Sequence, residues 1–193
     1  MGHAAARIRE RTVNLPNLIS LARLLAVPVV VWLLLADQLE MAFWLFVAAG
    51  ASDAFDGFIA KRFDMATRVG RYLDPLADKA LLVSTYIALG RIGELPDWLV
   101  ILVVSRDLLI VGGFMLSYTL SHRFSPQPAT ISKINTALQM VLAAVVLGEV
   151  ALVMPLGELP TVMIVCVAAT TVASGTNYLI QWTRGVAQQE EVR

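Results

Sequence analysis

The sequence has little of what stabilises a secreted or an ordinary soluble domain. Cys166 is its single cysteine, so an intrachain disulfide is excluded. Charged residues make up 16% of the chain, against about 25% in a typical soluble domain. The formal net charge is zero, so no strong overall field attracts nucleic acid and no such partner is expected. The N-terminal stretch also lacks the apolar core and cleavage site of a signal peptide.

Apolar residues are abundant instead. They make up 58% of the chain, and the mean hydropathy is +0.70. Six apolar segments run from about 18–36, 41–63, 72–92, 97–121, 132–153 and 160–182. Each is close to the roughly 20 residues that a helix needs to cross a bilayer. The sequence therefore predicts an all-α bundle of six transmembrane helices, forming a single membrane domain over residues 1–193.

The charges at the ends of these segments are asymmetric. Basic residues concentrate at the two termini and in the second and fourth connections, whereas the other connections are mainly acidic with Arg91 as their only base. Connections rich in Lys and Arg stay on the cytoplasmic side of a membrane. We therefore expect both termini to face the cytoplasm, which agrees with an even number of spans.

Four carboxylates interrupt the second and third apolar segments. Asp53 and Asp56 come late in the second segment, and Asp74 and Asp78 come early in the third. The short connection makes the two helices antiparallel, so all four residues lie at one depth, just inside the cytoplasmic boundary. Spacings of three and four residues place each pair on one helix face. The pattern predicts a cluster of four facing carboxylates.

Such a cluster repels itself unless cations lie within it. Two Mg²⁺ or Mn²⁺ ions would neutralise four carboxylates, and two-metal sites are common in phosphoryl transfer. Gly57, Ala60 and Gly70 leave room nearby for a nucleotide or diphosphate to approach the backbone. The alternative is a solvated loop whose acids pair with neighbouring Lys and Arg side chains, and we expect that role only for Asp64.

These residues form a known pattern, D-x2-D-G-x2-A-R-x8-G-x3-D-x3-D, and thereby resemble the CDP-alcohol phosphotransferase family. The matching positions are Asp53, Asp56, Gly57, Ala60, Lys61, Gly70, Asp74 and Asp78. Lys61 replaces the usual arginine, which keeps the charge but loses the bidentate geometry. The opening "NLPNLISLARLLAVP" is similar to that of bacterial and mitochondrial members. The resemblance implies six helices around a polar cavity open to the cytoplasm, a homodimer and a place in a bacterial inner membrane.

The resemblance also implies a reaction and roles for the residues. CDP-diacylglycerol would be the donor, an acceptor hydroxyl would attack its phosphatidyl phosphorus, and CMP would leave. Asp53, Asp56 and Asp74 would be the main metal ligands, and Asp78 the general base with some metal contact. Gly57, Ala60, Lys61 and Gly70 would lie against the donor. For Asn17, Ser20 and Arg23, donor binding and helix capping are equal alternatives.

The acceptor is indicated by the start of the fifth segment. Members that make phosphatidylglycerophosphate usually carry G-K-x-K-T-x-x-Q there, whereas this chain has S-K-x-N-T-x-x-Q with Asn135 in place of the second lysine. Phe114 likewise stands where such members carry a second arginine after Arg106. We therefore expect phosphatidylglycerol as acceptor, bound by Arg106, Lys133 and Asn135, and cardiolipin as product. Glycerol 3-phosphate is the first alternative, and inositol phosphate or serine the next.

A cation transporter is the alternative outside enzymes. Transporters usually place ionisable sites near the bilayer midplane, often between inverted repeats. These carboxylates lie near one face and no repeat is evident. The sequence therefore favours an enzyme, and metal-dependent release of CMP would separate the two classes.

Overall fold

The computed structural model describes the backbone of residues 15–63, 70–119 and 130–190, and the side chains of 18–52, 76–113 and 130–183. In these ranges the chain forms six α-helices and no strand, which confirms the all-α prediction. The helices are α1 (Leu15–Leu35), α2 (Leu39–Phe63), α3 (Gly70–Ile92), α4 (Asp97–Thr119), α5 (Thr130–Ala151) and α6 (Leu159–Glu190).

The helices coincide with the six predicted apolar segments, apart from the end of α6. That helix continues past the predicted end at residue 182 to Glu190. Its 32 residues make it about 48 Å long, which exceeds the roughly 30 Å of a bilayer core. By length and composition α1, α5 and α6 can cross a membrane, whereas the apolar part of α2 is the shorter run Leu39–Ser52.

Tight turns end α1 and α3. Gly93 follows α3 with a φ of 89°, and the Glu94 amide donates a 2.9 Å hydrogen bond to the Leu89 carbonyl. This left-handed residue closes the helix as a C-terminal cap, which glycine adopts without strain. Asp37 plays the same part after α1 with a φ of 59°. The short turns make α1 and α2, and likewise α3 and α4, antiparallel along the chain.

The helices pack in a ring. Its order is α1, α2, α5, α6, α4 and α3, with α3 returning to α1. Across the ring α3 also contacts α5 and α2. The helix that carries Asp74 and Asp78 is therefore packed against four others.

The interior of the ring has an apolar half and a polar half. The apolar half comes from the later parts of α1, α3 and α5 and the earlier parts of α2 and α4, and includes Leu33, Phe46, Leu82, Leu99 and Leu147. The buried polar side chains come from the opposite parts of α1, α5 and α6 and from the middle of α4. They include Ser20, Arg23, Arg106, Asp107, Asn135, Gln139, Thr171 and Ser174. In the second and third segments of the sequence, carboxylates occupy one part and apolar residues the other. The structure shows the same separation of polar and apolar parts in the rest of the bundle.

Candidate functional site

Most of the predicted metal and donor site falls on side chains outside the described residues. These are Asp53, Asp56 and Asp74 among the metal ligands, and Asn17, Gly57, Ala60, Lys61 and Gly70 among the donor contacts. The helices place the two carboxylate pairs on α2 and α3, as their spacing predicts. Among the described side chains no group of three or more His, Cys, Asp or Glu could hold a metal ion. The metal cluster therefore stays a prediction.

Asp78 is the one predicted metal-site carboxylate whose side chain is described. It forms an ion pair with Arg23, which joins α3 to α1. The Arg23 side chain is buried, whereas that of Asp78 is 27% exposed. Ser20 is buried one turn before Arg23 on α1. The structure thus places Arg23, a predicted CDP-diacylglycerol-binding residue, against Asp78, the predicted general base. Each side chain supplies the opposite charge that the other needs when buried.

Arg106 lies at the centre of a buried hydrogen-bond group. Its Nη1 donates to Asp107 at 2.7 Å, and its Nη2 donates to the hydroxyls of Ser132 at 2.6 Å and Ser174 at 2.5 Å. These contacts join α4 to α5 and α6. Its Nε has no partner within the described residues. The guanidinium is therefore fixed in orientation, with one donor nitrogen still available.

Lys79 belongs to the same charged group. Its Nζ donates to Asp107 Oδ2 at 2.7 Å, while Asp107 Oδ1 accepts from Arg106. One carboxylate is therefore shared between two cations on different helices. No role for Lys79 was predicted from the sequence. The signal was present, because a lysine that follows Asp78 inside a predicted span is costly there unless a partner or a function requires it.

A second polar group lies between α5 and α6. Asn135 is fully buried, and its Oδ1 accepts hydrogen bonds from Thr170 at 2.8 Å and Thr171 at 3.0 Å. Gln139, one turn further along α5, donates to the Thr171 hydroxyl at 3.4 Å. The Asn135 Nδ2 and the Gln139 Oε1 have no partner in the described part of the chain. The amide of Asn135 therefore has its oxygen fixed and its nitrogen unused.

Of the three predicted acceptor-binding residues, Arg106 and Asn135 lie near each other, and Lys133 does not. Ser132, which binds Arg106, lies one turn before Asn135 on α5, and Ser174 lies one turn beyond Thr171 on α6. The buried groups around Arg106 and Asn135 are therefore neighbours along the α5–α6 interface. Lys133 points elsewhere, because its side chain is exposed. Gln139, Thr170, Thr171 and Ser174 complete the interface; Gln139 belongs to the sequence pattern at the start of α5, whereas the three α6 residues are revealed only by their contacts in the structure.

Comparison with known proteins identifies the family. Residues 13–183 match the family model described as CDP-alcohol phosphatidyltransferase. The chain belongs to this family. The match covers α1 to α5 in full and α6 as far as residue 183, including the regions around Arg23 and Asp78 and the buried groups of α4, α5 and α6.

Relatives in this family are named for two different reactions. The chain is 37% identical over 197 residues to a chloroplastic CDP-diacylglycerol–glycerol-3-phosphate 3-phosphatidyltransferase of Oryza sativa, covering 90% of this chain and 58% of the relative. It is 33% identical over 185 residues to cardiolipin synthase (CMP-forming) of Rattus norvegicus, covering 88% and 61%. It is 33% identical over 188 residues to a probable phosphatidylglycerophosphate synthase of Mycobacterium tuberculosis, covering 92% and 86%. The chain spans about three fifths of the length of the rice and rat proteins. Overall identity does not decide between the two reactions.

Proposed function

We propose that the protein transfers a phosphatidyl group from CDP-diacylglycerol to phosphatidylglycerol, releasing CMP and forming cardiolipin. Family membership supports the donor and the type of reaction. The observation that carries the choice of acceptor is the burial of Asn135, a neutral residue where phosphatidylglycerophosphate-forming members usually carry a lysine. Because its oxygen is occupied by two threonine hydroxyls, only its amide nitrogen can reach a ligand.

The acceptor would lie against Arg106 and Asn135. Each has one buried donor nitrogen, Nε and Nδ2 respectively, that no described residue satisfies. Buried donors without partners are costly, so both favour a ligand that brings oxygen acceptors. One fixed guanidinium and one neutral amide suit the single charge of a phosphodiester. The exposed Lys133 would act further out, where the headgroup enters.

The donor would lie at the carboxylate pairs. Asp53, Asp56 and Asp74 would hold two Mg²⁺ or Mn²⁺ ions, and their carboxylate oxygens are the ligands that hard divalent cations prefer. The contact between α2 and α3 is consistent with such a shared site. Bound metals would neutralise the diphosphate and the leaving CMP oxygen. The predicted contacts of Asn17, Ser20, Gly57, Ala60, Lys61 and Gly70 with the donor belong to this proposal.

Asp78 would act as the general base. Arg23 already compensates its charge, so it does not depend on a metal for that purpose. Its partial exposure leaves it accessible to the acceptor hydroxyl, whose proton it would take during attack on phosphorus. This arrangement supports the base over a role purely as metal ligand.

The membrane arrangement is part of the proposal. We infer that all six helices span a bacterial inner membrane, that both termini and the active site face the cytoplasm, and that the protein is a homodimer. The polar half of the bundle supports this orientation, because Arg23 and Asp78 lie near the ends of α1 and α3 that adjoin the basic parts of the sequence.

Phosphatidylglycerophosphate synthesis is the second candidate, because the rice and M. tuberculosis relatives are named for it. The test supplies the purified protein with CDP-diacylglycerol, metal, phosphatidylglycerol and glycerol 3-phosphate together, and identifies the products by mass. Cardiolipin is the expected product, and chelation of the metal should stop its formation. Rapid formation of phosphatidylglycerophosphate without cardiolipin would exclude the first candidate in favour of the second.

A further inference from the structure

The charges around Arg106 do not balance within the described residues. Lys79 and Arg106 each bring one positive charge, and Asp107 brings one negative charge between them. The side chains of Arg106 and Asp107 are both 4% exposed, whereas that of Lys79 is 26% exposed. An excess positive charge in a largely buried place favours an anionic partner. Lys79 is the most exposed member of the group.

Lys79 lies next to Asp78, the proposed general base, on α3. Asp78 and Lys79 are consecutive on α3, so their side chains leave the helix about 100° apart. Asp78 is directed to Arg23 on α1, and Lys79 is directed to Asp107 on α4. One turn of α3 therefore presents a carboxylate and an ammonium on adjoining faces. In phosphatidylglycerol and in glycerol 3-phosphate, a single glycerol unit separates the attacking hydroxyl from the phosphate.

We propose that Lys79 is a further binding residue, whose ammonium contacts the phosphate of the acceptor while the acceptor hydroxyl lies at Asp78. Asp107 is a positioning residue, which holds Lys79 and Arg106 on its two oxygens. Both terminal nitrogens of Arg106 already donate to protein oxygens, whereas an ammonium has three donors and Lys79 gives one to Asp107. The inference rests on the proposed function, since it requires an acceptor that carries a phosphate.

The test compares Lys79→Gln with Arg91→Gln, which removes one positive charge from the exposed far end of the same helix. Lys79→Gln should raise the KM for phosphatidylglycerol roughly 10-fold or more, the loss expected for a charge-assisted contact. The KM for CDP-diacylglycerol should change little, and Lys79→Arg should restore part of the acceptor affinity. Direct binding of a fluorescent phosphatidylglycerol to the detergent-solubilised protein should weaken in parallel. Arg91→Gln should leave all these values unchanged.

A purely structural role for Lys79 is distinguished by the double variant Lys79→Gln/Asp107→Asn. If Lys79 only neutralises Asp107, removing both charges should restore acceptor affinity to that of Asp107→Asn alone, and this result would overturn the inference. The inference would also be overturned if Lys79→Gln weakened the binding of CDP-diacylglycerol as much as that of phosphatidylglycerol, because Lys79 would then bind the phosphate of the donor. If the wild type proves to use glycerol 3-phosphate, the proposed product is wrong. A selective rise in the KM for glycerol 3-phosphate would still support Lys79, and an unchanged KM would refute it.

Discussion

Removing the Ser174 hydroxyl should loosen Arg106 without touching the charges of the site. Ser174 is 2% exposed, and its hydroxyl accepts a 2.5 Å hydrogen bond from Arg106 Nη2. In Ser174→Ala, Ser132 remains the second acceptor for Nη2, at 2.6 Å. One N–H of a buried guanidinium then loses its partner, and the burial of the site leaves little room for water to replace it.

The loss of stability in Ser174→Ala depends on the type of hydrogen bond removed and on its surroundings. Hydrogen bonds to charged groups contribute about 1.5–3 kcal/mol, but interhelical hydrogen bonds in membranes reach only about 1.7 kcal/mol. We therefore expect Ser174→Ala to lower the free energy of unfolding by about 1.5 kcal/mol. For a chain of this size the Tm should fall by roughly 3–6 °C. The KM for phosphatidylglycerol should rise as well, because Arg106 is no longer held in one orientation.

The assay is thermal unfolding of the purified protein in one detergent, combined with acceptor and donor KM values from CMP release. Ser105→Ala is the matched control, since it makes the same chemical change at an exposed position beside Arg106 on α4. Ser132→Ala should resemble Ser174→Ala, and the double variant should deviate from additivity because both hydroxyls bind one nitrogen. An unchanged Tm together with an unchanged acceptor KM in Ser174→Ala would refute the role given to this hydrogen bond.

The remaining predictions concern the predicted metal and acceptor residues. Asp74→Asn should abolish CMP release and lower metal affinity, because it removes a charge from a cation site; near-normal turnover at saturating metal would exclude the two-metal site. Asp78→Asn should lower turnover more than it weakens nucleotide binding, as expected for a base, whereas a loss of donor affinity equal to that of Asp53→Asn would make it a plain metal ligand. Lys133→Ala should raise the KM for phosphatidylglycerol by about tenfold at most, because exposed contacts are weak. Asn135→Lys should not improve the use of phosphatidylglycerol, and a shift in acceptor competition towards glycerol 3-phosphate would support the charge argument.

The six helices could be predicted because six largely apolar segments are separated by short polar connections, although the fully apolar part of α2 is shorter than a bilayer is thick. The predicted sixth segment ends at 182, and the apolar part of α6 does end there, at Thr183, although the helix itself continues to Glu190. The polar tail "VAQQE" consists largely of good helix formers, so its polarity does not end the helix. Helix propensity would have extended the boundary where hydropathy could not.

The partners of the buried charges could not be predicted. Donor binding and helix capping were the two roles open to Arg23, whereas its pairing with Asp78 depends on how α1 packs against α3. Asp107 follows Arg106 directly in the sequence, but nothing in the sequence shows that it also binds Lys79 from another helix. Spacing along one helix indicates which residues share a face, but it does not specify which face of the next helix lies opposite. The α5–α6 contacts of Asn135 depend on packing in the same way.

The charge of the buried interface between α4, α5 and α6 offers a physical basis for the choice of acceptor. Arg106 and Asp107 compensate each other, Lys79 adds one positive charge, and Asn135 adds none. A phosphodiester brings one negative charge and would balance this excess, whereas a phosphomonoester near neutral pH carries nearly two and would leave negative charge in a buried place. A lysine at position 135 would reverse that balance, because a second buried cation is stable only beside a more highly charged acceptor. On this proposal one buried side chain on α5 would change the acceptor that is favoured, while the predicted donor site on α2 and α3 would stay the same.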